Sequence, residues 1–333
     1  MPRIETIDCL KGLAILCITL LHFESGIIPS DVNTWIGLFM ISAFYFSAGW
    51  IAGIKKTDIR PKDLFLKRLR QLGIPYLWFS AVILLFDLIW CLCGFMEYKI
   101  FFQDIYKTLT LRGIGTLWFL PVLLFGEWLF CFIRTKKNKY LWGVCLLLFS
   151  LIASHFYYKY LPLRDNNDII KLLEAPIRPV IYSLNAWIVI FFGWLGGEYL
   201  YPKIKNMKNT QSVICGILLL AAGYAVVVFK IDIMFLSAWC VNVTSALGFL
   251  LIFSGLSGNY ISDFFAYWGR NSLILMCLHF SIFQEIMMTV DKRLLHHTSF
   301  TGIWSLMYFV ITVAIVWLLV PLFAKKLKFM LGK

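Results

Sequence analysis

Lys11 and His22 are separated by ten residues within the first long apolar stretch of the chain. At ~100° per residue, eleven steps along a helix return to within ~20° of the starting direction, so the two side chains share one face, ~16 Å apart along the axis. Ionisable groups inside a membrane helix are costly and usually face a protein interior or a water-filled cavity. An ammonium and an imidazole at two depths on one face therefore outline a polar site running into a bilayer. Imidazole, with an unperturbed pKa of about 6.5, suits the removal of a proton from an attacking hydroxyl. The plainer reading of His22 is a histidine hydrogen-bonded near a membrane interface. Lys11 either snorkels to the headgroups or holds an anionic group; at ~16 Å it does not touch the atom on which His22 acts.

The composition supplies the setting. Of 333 residues, 60% are hydrophobic and only 15% charged, with a mean hydropathy of +0.79; a soluble domain carries nearer a quarter charged residues. Apolar runs of about 20 residues then read as transmembrane helices. Ten are expected, at 8–26, 34–54, 73–94, 115–133, 140–157, 179–200, 211–229, 233–255, 264–289 and 301–323. The fold class expected is all-α and polytopic, a single integral membrane domain with its helices around a polar cavity. The first span, carrying Lys11 and His22 and lacking a small-residue cleavage site, is not expected to be a cleaved signal peptide.

The net charge of +13 invites a nucleic-acid partner, but its distribution speaks for a membrane instead. With the N-terminus inside, alternate loops collect twenty of the 31 basic residues, seven of them between Lys55 and Arg70, as the positive-inside rule expects. Both termini are thus expected in the cytoplasm of a multi-pass protein of the cell membrane, against membrane lipids and with no nucleic acid. The nine cysteines show neither a C-x-x-C pair nor zinc spacing, so no metal and no structural disulfide are expected.

Other polar residues interrupt apolar sequence. Arg68 and Arg70 stand at the mouth of the third span, where basic residues also serve topology; two residues apart, they point to different sides of a helix. Glu127 and Asp87 are acids within spans and must pair with a cation or shift their pKa. Glu127 either orients a histidine or closes a contact between helices. Ser272 and His279 lie seven residues apart on one face, ~10 Å along the axis, too far for a direct nucleophile–base pair. A structural contact suits Ser272, whereas His279 is a second candidate for the site. Tyr76, Trp118 and Asn185 are further candidates for cavity lining. His155, His296 and His297 read as interfacial residues.

Taken in order, several segments resemble acyltransferase family three, the integral membrane acyltransferases of carbohydrates and related acceptors. They are Asp8-Cys9-Leu10-Lys11 leading to His22, Phe44-Tyr45-Phe46-Ser47-Ala48-Gly49, Leu117-Trp118-Phe119-Leu120-Pro121, and Asn271-Ser272-Leu273 followed by His279. The likeness runs over roughly residues 3–280. One departure concerns the Arg-x-x-Arg pair that many members carry before a proline: those positions are Leu69 and Leu72 here, with Lys67, Arg68 and Arg70 nearby. In this the chain looks closer to the stand-alone branch acting on polysaccharides and sugars.

The resemblance implies an O-acyltransferase that moves an acetyl or similar short acyl group from cytosolic acyl-coenzyme A to a carbohydrate hydroxyl. The acceptor would be a surface polysaccharide, a lipid-linked sugar or a glycoside. No permanently bound cofactor is implied. His22 would be the base, Lys11, Arg68 and Arg70 the contacts of the donor phosphates, and direct transfer or an acyl-histidine relay are both open. The rival reading is a polytopic exporter or flippase of a glycan or lipid-linked sugar. Such proteins also bury ionisable residues near the midplane, and they commonly carry internal repeats of spans.

Overall fold

A computed structural model of the chain describes residues 4–23, 26–56, 59–231, 235–294 and 302–332. Among these residues all regular structure is helical, and ten helices are long and apolar enough to cross a membrane. The elements are α1 (Glu5–Phe23), α2 (Ser30–Lys55), α3 (Pro61–Arg68), α4 (Ile74–Leu92), α5 (Tyr98–Leu109), α6 (Phe119–Arg134), α7 (Lys139–Tyr160) and α8 (Asp168–Tyr199). They continue as α9 (Tyr201–Ile204), α10 (Asn209–Val228), α11 (Phe235–Gly255), α12 (Tyr260–Arg270), α13 (Ser272–Leu278), α14 (Glu285–Leu294) and α15 (Ile303–Lys325).

The ten expected spans are present, with three differences that have local causes. The basic segment before the third span is helical from Pro61, with π-helical geometry over Leu69–Gly73 joining α3 to α4. Pro75 follows directly; its ring lacks an N–H and crowds the carbonyl four residues back. The wider turn accommodates that clash, its closing bond running from the Ile74 N–H to the Leu69 carbonyl. The sixth span starts at Asp168 rather than 179, because the Asn167 Oδ1 accepts from the N–H groups of Ile169 (2.9 Å) and Ile170 (3.2 Å) and so caps the helix. Pro176 and Pro179 then lie inside α8. Pro176 leaves the Leu172 carbonyl without its helical donor, and the Tyr106 hydroxyl supplies one at 2.7 Å.

The third difference is in the ninth span, which is not one helix from 264. Helix α12 stops at Arg270, and a new helix begins at Ser272. Polar side chains satisfy the carbonyls at that end: Asn271 Nδ2 donates to Tyr267 O at 2.9 Å and Ser272 Oγ to Gly269 O at 3.0 Å. Ser272 thus has the structural contact expected of it.

The chain forms two compact units, each discontinuous in sequence. One comprises Met1–Thr57, Val189–Met276 and Asp291–Val316. Its helices meet backbone to backbone through glycines. A Cβ on Gly12 would strike the Phe265 carbonyl, and one on Gly269 the Asp8 carbonyl, so α1 and α12 interlock reciprocally. Gly49 and Gly53 of α2 likewise face the Ile190 and Trp194 carbonyls of α8, while Gly193 and Gly197 face Phe46 and Trp50. Such small-residue contacts supply the van der Waals packing that holds membrane helices together where no hydrophobic drive operates between them. Trp35 pins α2 to α11 by donating from Nε1 to Ser245 Oγ at 3.0 Å.

The second unit comprises Asp58–Ile188, Cys277–Val290 and Trp317–Lys333. Here aromatic pairs and polar ties dominate. Phe79 stacks on Phe323 with centroids 5.7 Å apart, and Phe65 lies against Phe125 and Trp128. The Tyr76 hydroxyl donates to the Thr108 carbonyl in the last turn of α5 at 2.8 Å, tying α4 to α5.

Candidate active site

Helix α1 turns its Lys11–His22 face toward protein. Between the two residues on that face lie Ile15 and Ile18, which are 0% and 6% exposed, and Asp8, one turn before Lys11, is 5% exposed. Lys11 and His22 themselves are half-buried. Two contacts fix the orientation. Gly12 and Gly269 lock one side of α1 to α12, and the Ser305 hydroxyl of α15 donates to the carbonyl of Phe23, the residue after His22. That carbonyl is one of the last four of α1, which have no donor within the helix. The face is therefore fixed within the first unit, with polar groups at Asp8, Lys11 and His22 and buried isoleucines between Lys11 and His22.

The second unit holds the remaining candidates. Arg68 forms an ion pair with Glu127 of α6 through its Nε, and its Nη1 donates to Gln71 Oε1 at 2.8 Å. Glu127, whose side chain is 7% exposed, is thus the partner of an arginine 59 residues earlier. Of the two readings of that acid, the structure supplies the contact between helices. Arg70 is exposed, and its carbonyl lies against Gly332, where a Cβ would collide with it. Arg68 and Arg70 point differently, as two residues at that spacing do. Both π-helical turns fall at motifs singled out in the sequence: the first at Leu69–Gly73, the second, His279–Gln284, opening on a fully buried His279. Such turns are frequent at functional sites.

Trp118 owes its position to two glycines. Gly113 (φ +74°) and Gly115 (φ +51°) adopt left-handed backbone, which glycine enters without steric cost. A Cβ on Gly113 would meet the Trp118 backbone, and one on Gly115 the Ser281 hydroxyl. The Trp118 ring then stands edge-on to Tyr182, centroids 5.2 Å apart. Asn185, one turn beyond Tyr182, accepts from Ser154 Oγ at 3.1 Å. Tyr76 is buried and used by its bond to α5. Asp87 is 3% exposed, and among the described residues its Oδ2 has no hydrogen-bond partner. His155 is exposed; His296 and His297 lie outside the described residues.

One group was not singled out by sequence. Around Glu174 of α8 gather Arg112, Arg164 and Tyr157: the Tyr157 hydroxyl donates to Oε1 at 2.6 Å, and the two guanidiniums lie 3.4 and 3.9 Å from Oε2. Arg178 lies over the Tyr182 ring at 4.9 Å. The signal for half of this group was the spacing of Glu174, Arg178 and Tyr182, four residues apart on one face of α8. Arg112 and Arg164 come from distant segments and carry no such mark.

Chemically, the α1 strip offers a base and a cation on one rigid helix, and the second unit offers a guanidinium held by a buried carboxylate. No metal ion is needed for a hydroxyl to be deprotonated by imidazole and to attack an acyl carbon. No curated protein and no solved structure matches the chain. The family model described as an acyltransferase domain matches residues 4–322, nearly its whole length. That match embraces α1 with Lys11 and His22, the Arg68–Glu127 pair, the Trp118 turn and the break at Asn271; the chain belongs to acyltransferase family three and is a multi-pass membrane acyltransferase.

Proposed function

We propose that the protein moves an acetyl or similarly short acyl group from cytosolic acyl-coenzyme A to a hydroxyl of a carbohydrate, at the outer side of the cell membrane. The observation that carries this reading is the protein-facing strip of α1, with His22 in its last turn. The His22 imidazole takes the proton of the acceptor hydroxyl, and the oxygen attacks the thioester carbonyl. The tetrahedral intermediate collapses with loss of the coenzyme A thiolate, which takes up the proton from the imidazolium. A base positioned in this way contributes typically 10²–10⁴-fold in rate.

Lys11 and Arg68 are the proposed contacts of the donor, whose phosphates match ammonium and guanidinium groups; Arg70 is a further, exposed cation beside Arg68. Glu127 acts through Arg68, fixing its fork before the donor arrives, and is a positioning residue. The pattern of basic loops supports a cytoplasmic entry for the donor, since seven basic residues cluster between Lys55 and Arg70. His279 is kept as the second candidate base because it is wholly buried at the start of a π-helical turn.

The test uses the full chain in nanodiscs with isotope-labelled acetyl-coenzyme A and a panel of glycosides. Mass spectrometry of the acceptors is expected to show an alkali-labile labelled ester. Transfer of label to amines only, or consumption of donor with no labelled sugar under any acceptor, would overturn the carbohydrate assignment. Movement of a glycan across the nanodisc-free liposome bilayer without any ester formed would favour an exporter.

A further inference from the structure

The Arg112–Arg164–Arg178 group in the second unit is built for an anion rather than for helix packing alone. Within it Glu174 is shared by the Tyr157 hydroxyl, on Oε1, and by the Arg112 and Arg164 guanidiniums, which face an Oε2 that is buried without a hydrogen bond. Among the described residues no carboxylate lies within ion-pair distance of Arg178, and its Nε is buried without a hydrogen-bond partner. Leaving such a group unsatisfied costs the full desolvation of its N–H, and Glu174 Oε2, itself buried without a hydrogen-bond partner, is not within bonding distance to satisfy it. Burial draws Arg112 below its ordinary range; Glu174 opposes this, while Arg178 and Arg164 add to it by repulsion. The cations therefore act on one another, and an anion among them would relieve the strain.

The surroundings fit a sugar. Tyr157, Tyr182 and Trp118 present aromatic rings beside the guanidiniums, with Tyr157 and Trp118 edge-on to Tyr182 at 6.4 and 5.2 Å. Arg178 already lies over the Tyr182 face, the arrangement in which a cation is held by a ring quadrupole. Trp118 is fixed there by the Gly113 and Gly115 turn, so the aromatic wall is preorganised. In the loop-charge topology this end of α7 and α8 lies opposite the basic loops proposed for the donor, which assigns the anion to the acceptor.

We propose that Arg112, Arg164 and Arg178 bind an acidic group of the carbohydrate acceptor, a uronate carboxylate or a sugar phosphate, while the neighbouring aromatic rings pack against the sugar. The inference rests on the carbohydrate reading above and narrows it: the acceptor is an anionic glycan. Arg178 supplies the bidentate fork, because planar paired donors match carboxylate and phosphate oxygens. Arg112 and Arg164 supply background charge already partly held by Glu174.

The experiment measures binding directly, without turnover. The full chain in nanodiscs is titrated calorimetrically with three probes: a glucuronate-containing oligosaccharide, the same oligosaccharide with its carboxyls reduced to alcohols, and a hexose 1-phosphate. The acidic oligosaccharide is expected to bind roughly 10–100-fold more tightly than its reduced form, the range for one charge-assisted pair. In Arg178→Gln that ratio should fall toward one, and Arg178→Lys should restore part of it. The exposed Lys159, which lies over Tyr160 at 5.6 Å, serves as a control cation; Lys159→Gln should keep the ratio of the wild type. The hexose phosphate arm decides the source: binding tighter than the glucuronate probe points to a phosphorylated sugar, and weaker binding to a uronate. Equal affinity for acidic and reduced probes, no binding of any probe, or an undiminished ratio in Arg178→Gln, overturns the proposal. Preference for the acidic probe together with failure to form a sugar ester would leave the anion site standing and remove the acyl-transfer reading of it.

Discussion

Replacing Glu127 by Gln removes the charge that holds Arg68 while keeping the shape of the side chain. Breaking a fully buried ion pair costs about 3–5 kcal/mol, and an exposed one about 0–1 kcal/mol. Here the Glu127 side chain is 7% exposed and that of Arg68 is 30%. Gln71 still accepts from Nη1 at 2.8 Å in the variant. The loss is therefore set between the two limits, at about 2 kcal/mol. For a chain of this size that lowers the melting temperature by roughly 3 °C. Thermal unfolding in nanodiscs, followed by tryptophan emission, reads it. The double variant Arg68→Met/Glu127→Leu leaves no buried charge alone and should melt above Glu127→Gln, with a coupling of at least about 1 kcal/mol between the sites. Single-variant losses that simply add would refute the pairing as an energetic unit. With acyl-coenzyme A as titrant, Glu127→Gln should also raise the donor KM while leaving kcat less affected, as expected when ground-state positioning is lost.

Other perturbations have equally definite outcomes. Gly269→Val forces α12 off the Asp8 carbonyl and should abolish monodisperse, folded protein on size exclusion, whereas Gly37→Ala, with no heavy atom within 4 Å of the added carbon, should melt at or above the wild type. Gly113→Ala places a side chain at φ +74° against the Trp118 backbone; the expected loss is above about 1 kcal/mol, with altered Trp118 emission, and an unchanged melting curve would contradict the turn. Tyr106→Phe strips the donor from the Leu172 carbonyl freed by Pro176 and should cost about 0.5–1 kcal/mol; no change would mean that water replaces the hydroxyl.

What could be foreseen in the sequence follows from the range of the physics. Span number follows from local hydropathy, and the common face of Lys11 and His22 follows from helical periodicity alone, so both were legible. The helical start at Pro61 was not, because Lys62, Asp63, Lys67 and Arg68 depress the hydropathy of a segment that is nonetheless continuous with α4. The start of α8 at Asp168 was signalled by the Asn167 cap, but Pro176 and Pro179 argued more loudly for a later start. The break at Asn271 hid inside an apolar run; the only mark was the Arg270-Asn271-Ser272 triplet, whose side chains can close helix-end carbonyls. The Arg68–Glu127 pair and the gathering of Arg112 and Arg164 at Glu174 join residues up to 62 positions apart, which no periodicity connects. The interlocking of Gly12 with Phe265 and of Gly269 with Asp8 was likewise invisible until the helices were paired.

The central claim is that acyl transfer runs through His22, and release of coenzyme A thiol tests it most directly. Purified full-length protein in nanodiscs, supplied with acetyl-coenzyme A and a mixture of neutral and acidic sugars, is compared with His22→Ala under a thiol-reactive dye. Thiol release by the wild type that falls by at least about 10²-fold in His22→Ala, with melting temperatures alike, is the predicted result. Equal release by both would remove His22 as the base and pass that role to His279; absence of release together with absence of coenzyme A binding would contradict the acyl-coenzyme A mechanism itself.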